Sequence, residues 1–385
     1  MAKRVLIYTN HFAPEHFKIN EIAEWFLDFG FHVHVVTSLP NYPNGKIFKG
    51  YGLFKNSIEI DGNLSIRRLP LIPRGRGTKL RLILNYISYF ISTLVYTVYL
   101  ICFKKKYDWI FVHHTSPFFI VISAALYKKV RRSRAILWEL DLWPETLEAV
   151  GAIKSKTTLK WIEKCIRIIY KNFETILVGS KSFKAIVSKR VLHKNVFYFP
   201  NWAEHVLEKN YLNSSFKYDF DKDALKIMYT GNIGTAQDFM CLCDVILEEK
   251  INNVQWIFVG EGRFKSEMKE RLKKEMEINK VVFISQQELE FIPTLVSQVD
   301  FLYLSLNNSK LFSQTVPAKL QGYMALGKPI LGMISGEGAS IIAEASCGFS
   351  SPPGNKTELS KMIRRAVNTN EEERLTLGEK AIAYY

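Results

Sequence analysis

A lysine in the first turn of a helix faces the positive end of the helix dipole, where positive charge is disfavoured. Lys319 takes that position in the segment Gln314 to Met333, QTVPAKLQGYMALGKPILGM. The spacing predicts a helix that begins at Pro317, whose missing N–H and preset φ suit the first helical position. It ends before Gly327, with Pro329 blocking continuation and an apolar strand following from Ile330 to Ile334. The unprotected N–H groups at such a helix start favour an anion, and a phosphate lying between them and the ammonium would account for Lys319. The plainer alternative is an ordinary βα unit with a solvated lysine.

Two glycine-marked loops bear on the same question. Gly231 and Gly234, in MYTGNIGTAQDF, sit between a strand and a helix, where absent side chains let backbone N–H groups approach a diphosphate. Gly260, Glu261, Gly262 and Arg263 end another strand of the same series. A Gly-x-x-Gly spacing alone is equally a plain turn; three loops at one sheet edge carry more weight. Acidic and imidazole candidates lie in the first half of the chain: Asp141 and Glu145 in ELDLWPE, His11 and Glu15 in TNHFAPEH, and His113 and His114 at a strand end. For Asp141 and Glu145 the alternative is capping of the helix near Pro144, and for the histidines a satisfied loop position. None has the spaced carboxylate or cysteine partners of a metal site.

The elements that must position these residues alternate. Strands are predicted at Val5–Thr9, His32–Thr37, Ser65–Leu69, Trp109–His113, Ala135–Glu139 and Thr175–Gly179, with helices at Ile19–Phe29, Leu82–Phe103, Phe118–Lys129 and Lys156–Asn172. Such βα units fold as a doubly wound parallel sheet, with ligand loops at the strands' carboxyl ends. The polar segment Tyr198–Asp223 reads as a linker. Beyond it a second series places strands at Lys226–Thr230, Trp256–Val259, Val281–Ser285, Asp300–Leu304 and Pro329–Ile334, and the chain closes on AIAYY without a clear final helix. A length of 385 residues suits two domains, divided as 1–203 and 204–385. Five scattered cysteines without paired spacing point to a reducing compartment, and MAKRVLIYTN reads as a first strand and not as a signal peptide.

The formal charge of +15 is concentrated around one apolar segment. Arg67, Arg68, Arg74, Arg76, Lys79 and Arg81 precede it, and Lys104, Lys105, Lys106, Lys128, Lys129, Arg131, Arg132 and Arg134 follow. Leu82–Phe103 has the length to span a bilayer, but spanning would split one parallel sheet across the membrane. Arg81, Asn85, Ser88, Ser92 and Thr93 form a polar stripe at helical spacing, so the preferred reading is an in-plane helix, near residues 80–103, on an anionic leaflet. A buried or dimer helix is the alternative. Nucleic acid is excluded as a partner because the charges flank an apolar helix and lack interleaved aromatics.

Seven segments in order, PNYPNG (40–45), HTSPFF (114–119), DLWPE (141–145), FPNW (199–202), GNIGTAQ (231–237), VGEG (259–262) and PAKLQGYMALGKPI (317–330), give the chain its resemblance to a known family. It resembles GT-B glycosyltransferases of the retaining family four, in the bacterial O-antigen and capsule branch that includes N-acetylfucosamine transferases. The resemblance implies an α/β fold of two Rossmann-like doubly wound domains facing across a cleft, the N-terminal one binding acceptor and the C-terminal one a nucleotide-sugar donor. It implies transfer with retention, no metal and no cofactor, from a donor, by analogy UDP with an N-acetylated deoxyhexose, to a polyprenyl-diphosphate-linked saccharide. Catalytic roles fall by resemblance on Asp141, Glu145, His11 and Lys319. Donor contacts fall on Gly231, Asn232, Gly234, Gly260, Arg263, Gln314, Thr315, Val316 and Lys319, and acceptor contacts on Glu15, His114 and Ser116.

The chain departs from that family where two glutamates usually stand eight positions apart, for Gln314 and Gly322 occupy those places, and Asn232 and Gln237 replace a usual Arg and Lys. Lys319 and Arg263 are the candidates to restore the positive charge. A nucleotide-sugar 2-epimerase and a non-catalytic partner subunit are the alternative functions. The expected location is cytoplasmic, peripheral on the inner face of the cell membrane.

Overall fold

The computed structural model describes residues 3–42, 45–75, 77–149, 151–192, 195–208, 218–249 and 251–385, the Lys79 side chain excepted. Pro43 and Asn44 of PNYPNG, Arg76 of the basic cluster and residues 209–217 of the expected linker lie outside the described residues. The chain forms two compact units, Met1–Pro200 and Asn201–Tyr385.

The first unit contains β1 (Arg4–Thr9), α1 (Ile19–Asp28), β2 (His32–Ser38), β3 (Ile58–Asp61), β4 (Leu64–Leu69), α2 (Lys79–Phe103), β5 (Trp109–His114), α3 (Phe119–Arg131), β6 (Arg134–Glu139), α4 (Glu145–Ala149), α5 (Lys156–Tyr170), β7 (Thr175–Val178), α6 (Lys181–Arg190) and β8 (Asn195–Tyr198). Its sheet runs β3-β4-β2-β1-β5-β6-β7-β8, parallel except for β3, which pairs antiparallel with β4. The second unit contains α7 (His205–Glu208), β9 (Leu225–Thr230), α8 (Phe239–Glu248), β10 (Val254–Val259), α9 (Lys265–Arg271), α10 (Lys273–Glu277), β11 (Val281–Ile284), α11 (Ile292–Ser297), β12 (Phe301–Ser305), α12 (Lys310–Gln314), α13 (Ala318–Ala325), β13 (Ile330–Met333), α14 (Glu337–Ala345), β14 (Gly348–Ser351), α15 (Lys356–Val367) and α16 (Glu371–Tyr384). Its all-parallel sheet runs β11-β10-β9-β12-β13-β14.

Strands covered on both faces need apolar residues at every position, which is why β10 and β12 are buried from end to end. Period-two alternation divides the contributions: Ile227 and Tyr229 of β9 enter one core cluster, and Met228 between them enters the cluster on the opposite face.

Several expectations need correction. Pro317 is the N-cap of α13, with ψ 130°, so the helix proper starts at Ala318. The linker stretch begins inside β8 and holds α7. A final helix is present after all: α16 carries a capping box in which Asn370 and Glu373 each bond the other's backbone N–H. Strand β14, GFSS, escaped detection because it has no apolar run, and β3 because an edge strand needs only one apolar face.

α2 reverses the ordinary arrangement of an amphipathic helix. Its inward ridge is largely polar: Asn85, Tyr89, Thr93 and Thr97 are buried. Asn85 Nδ2 donates to Ile72 O (2.7 Å), Tyr89 OH to Thr9 O (2.8 Å), and Thr97 Oγ1 lies 2.9 Å from Tyr8 OH. The outward face is apolar, with Leu80, Ile83, Leu84, Ile87, Ile91, Val95, Val98 and Phe103 exposed. Because α2 is the crossover between β4 and β5 of one sheet, it lies along that sheet.

Candidate functional site

The carboxyl edge of the second sheet is built by close backbone approach. Gly231, at φ 121°, follows β9, and Gly260, at φ 144°, follows β10. A Cβ on Gly260 would collide with the Gly231 carbonyl, and one on Gly262 with that of Ile233, so side chains here would push the two loops apart. Backbone bonds lock them: Gly231 N donates to Val259 O (2.8 Å), Ile233 N to Glu261 O (2.8 Å) and Phe264 N to Ile233 O (3.0 Å). Gly234 N donates to Gln237 Oε1 at 3.1 Å. The amide hydrogens of Gly231 and Gly234 are therefore already engaged, and what these glycines contribute is room. Asn232, between them, is exposed at the loop's outer surface.

Lys319 joins the third loop to the first. Its Cε lies 2.5 Å from the point a Gly231 Cβ would occupy, and its Nζ sits 5.2 Å from the centre of the Tyr229 ring. Burial holds the ammonium below its ordinary pKa, and among the described residues no carboxylate pairs with it. One turn on, Tyr323 OH accepts the Thr230 N–H at 2.9 Å and fixes the end of β9.

The remaining candidates of this edge fall in different places. Gln314 ends α12. Thr315 spends its hydroxyl on Leu311 O (2.8 Å), and Val316 packs on the core. Arg263 is exposed. The buried cation of its loop is Lys265, which donates to Gly260 O (2.8 Å) and Glu261 Oε1 (2.7 Å). Sequence reasoning passed over Lys265 and Tyr323; the signal for both was a polar side chain on the core-facing side of a short helix.

In the first unit, His11, Ser116 and Asp141 follow the adjacent strands β1, β5 and β6. His11 Nδ1 lies 2.8 Å from Glu15 Oε2, and Glu15 Oε1 accepts the N–H groups of Asn41 (2.8 Å) and Tyr42 (2.6 Å). The imidazole stacks on Phe17 at 4.6 Å, and Arg74 Nη2 lies 3.3 Å from its Nε2. This dyad is buried beneath Arg74, a contact the sequence did not suggest. His113 is neutral: burial, then its neighbours His11 and His114, lower its pKa to about 3.

His114, expected to touch an acceptor, is fully buried. Its Nδ1 lies 2.5 Å from Glu139 Oε1, whose other oxygen accepts from Tyr170 OH at 2.8 Å. That geometry makes it a core residue. Ser116 donates both its hydroxyl and its N–H to Asp141 Oδ2, and Thr146 Oγ1 donates to Asp141 Oδ1 at 2.6 Å. Glu145 accepts from Arg190 Nη2 at 2.5 Å. Asp141 thus ties the 116 and 146 turns together, and Glu145 is paired with Arg190 of α6. Among the described residues no group of three or more His, Cys, Asp or Glu side chains is gathered as a metal would need.

Residues 210–384 match the family described as glycosyl transferases group 1. Over 337 residues the chain is 22% identical to the putative colanic acid biosynthesis glycosyl transferase WcaI of Escherichia coli (strain K12), covering 84% of this chain and 81% of that protein. Among solved structures it is similar to the sucrose-phosphate synthase (tll1590) of Thermosynechococcus elongatus, with TM-score 0.71 and 14% identity over 99% of this chain and 94% of that one. It is also similar to Anabaena Alr3699/HepE in complex with UDP and glucose, with TM-score 0.65 and 13% identity over 99% of this chain and 94% of that one. Two parallel α/β units with these neighbours define the fold as GT-B. The chain is a glycosyltransferase, and residues 210–384, most of its second unit, match the group 1 glycosyl transferase family.

Proposed function

We propose that the chain transfers a sugar, with retention and without a metal, from a nucleotide-sugar held by the second unit to a polyprenyl-diphosphate-linked saccharide in surface polysaccharide biosynthesis. The observation that carries the donor half is Lys319. Burying an ammonium without a carboxylate is costly, and a diphosphate over Gly231 and the start of α13 would offset that cost. The Asn232 N–H and the amides of Ala318 and Lys319 at the start of α13 add donors where the leaving diphosphate gathers charge. A leaving diphosphate can itself take the acceptor hydroxyl's proton, so no separate protein base is required. The Escherichia coli relative, a putative glycosyl transferase of colanic acid biosynthesis, supports the polysaccharide reading, and UDP in the Anabaena neighbour supports a uridine nucleotide.

The acceptor half rests on α2. Its outward apolar face, bordered by exposed Arg81, Lys104, Lys105, Lys106, Lys129 and Arg132, suits the surface of an anionic bilayer. Arg68 is not part of that border, being buried against Glu59 at 2.9 Å.

Calorimetry of the protein against UDP, GDP and dTDP, with and without EDTA, tests the donor reading. The expected result is binding of one nucleotide that EDTA leaves unchanged and Lys319→Ala abolishes. Equal affinity in the variant would overturn the assignment of Lys319, and binding lost with EDTA would overturn metal independence.

A further inference from the structure

Strand register decides what lies beside α2 in the first unit. Tyr8 of β1 pairs with Val36, Val36 with Arg67 and Arg67 with Ile58; the neighbouring row runs Leu6, His34, Ser65 and Ile60. Residues paired in this way share one face of the sheet, and three of them show which face it is. Tyr8 OH lies 2.9 Å from Thr97 Oγ1, His34 Nε2 lies 3.3 Å from Tyr96 OH, and the Arg67 guanidinium lies 5.7 Å from the centre of the Tyr96 ring, all partners on α2. Ile58 and Ile60 of the edge strand β3 therefore point to the α2 side, where they are 58% and 76% exposed. The acids Glu59 and Asp61 alternate to the opposite face, and Glu59 meets Arg68 there. An edge strand ordinarily turns charge, and not isoleucine, to its open side. The flank of α2 that carries Tyr96 is aromatic: Tyr96 stacks on Tyr99 at 5.6 Å, Tyr99 lies 5.5 Å from Phe103, and the last two are exposed. Lys104 Nζ borders that stripe, 5.8 Å from the centre of the Tyr99 ring.

We propose that β3 and this aromatic flank together form the bilayer contact of the first unit, so that the open edge of the sheet, and not α2 alone, rests on an anionic leaflet. The proposal rests on the acceptor reading above and extends it from one helix to the adjoining sheet edge. Tyrosine suits the membrane–water boundary because its ring is apolar and its hydroxyl is not. Arg67, Lys104, Lys105 and Lys106 carry the charge opposite to acidic headgroups. A second copy of the chain laid on the same patch would set those cations against their like, which selects lipid as the occupant. The free N–H and C=O groups along the outer edge of β3 hold the strand in the headgroup layer, because hydrocarbon offers them no partner.

The test joins two measurements on the full chain: co-sedimentation with vesicles of phosphatidylcholine and phosphatidylglycerol, and amide hydrogen exchange with and without those vesicles, with melting temperatures recorded. Ile58→Ser combined with Ile60→Ser is expected to weaken vesicle binding about tenfold at an unchanged melting temperature. In the wild type, vesicles should slow exchange in β3 but not at the end of α1. That helix packs on the opposite face, with Phe26 5.8 Å from Phe111, which pairs with Ile7 and not with Tyr8. A double variant that binds like the wild type, with β3 not slowed, while serine at Ile83, Ile91 and Val95 weakens binding, overturns the inference and leaves the acceptor reading intact. Wild-type protein that ignores the vesicles overturns the inference and the membrane part of that reading together. Exchange in β3 that slows with protein concentration in the absence of lipid assigns the edge to a second copy and overturns the inference. Should the double variant melt early, the wild-type exchange in β3 decides.

Discussion

Lys319 shows how one side chain can be written into a sequence for a reason that only its surroundings reveal. Its protonated form attracts a diphosphate, and burial has already lowered its pKa. Nucleotide affinity is therefore expected to fall as pH rises, with the decline starting below the 10.5 of an ordinary lysine; titrations from neutral to alkaline pH would show it. His114 offers the contrasting case. Its partner Glu139 is fully buried, so His114→Ala strands a carboxylate in the core. We expect a loss of about 3–5 kcal/mol of stability in urea unfolding, with nucleotide affinity of the second unit unchanged. A variant of wild-type stability would show that the pair contributes little to the core. In the same way, Asp141 and Glu145 looked like chemistry in sequence because acids before a helix serve either use. Their bonds to Ser116, Thr146 and Arg190 show what they hold.

Among the elements, α2 departs furthest from the usual rule, with polar groups turned to the sheet and aliphatic ones to solvent. Its inward hydroxyls and amide are satisfied by β1, by the loop before the helix and, for Thr93, by the Tyr89 carbonyl of the helix itself, so each of these donors is paired. An outward face of this kind is expected to bind vesicles containing anionic lipid and to release them as salt rises. Replacing Ile83, Ile91 and Val95 together by serine should weaken that binding at least tenfold by sedimentation without lowering the melting temperature, since all three are exposed. Binding indifferent to these changes, or a salt-resistant dimer in ultracentrifugation, would give the face another occupant. The glycine loops are the other informative element. Their positive φ angles and backbone contacts bring Gly231, Gly260 and Lys319 together, a convergence the strand-end positions foretold.

For the whole molecule, the two units have separate sheets and cores, and the buried imidazoles belong to the first. His113 and His34 stay neutral when folded, lowered from 6.5 to about 3 and about 4, in both cases chiefly by burial. The unfolded chain takes up protons at both below 6.5, so stability present above that pH is lost on acidification. The loss is about 1.4 kcal/mol per pH unit for each group until the folded value is reached. Scanning calorimetry between pH 7 and 5 should show the first unit's transition moving to lower temperature, and His113→Gln should flatten the slope. A transition indifferent to pH would mean that these imidazoles are exposed.

The sequence by itself determined the alternation of strands and helices, the division into two α/β units and the edge on which the glycine loops and Lys319 would meet. These follow from periodicity, turn residues and the rule that ligand loops lie at strand ends, all of which act locally. Only the tertiary structure decided which polar side chains face inward. Burial and partner choice depend on residues far apart in the chain, as with Glu139 and His114 or Arg74 and His11. The same limit explains why Arg263 stood out where Lys265 is the buried cation, for composition marks a charge but packing decides whether water reaches it.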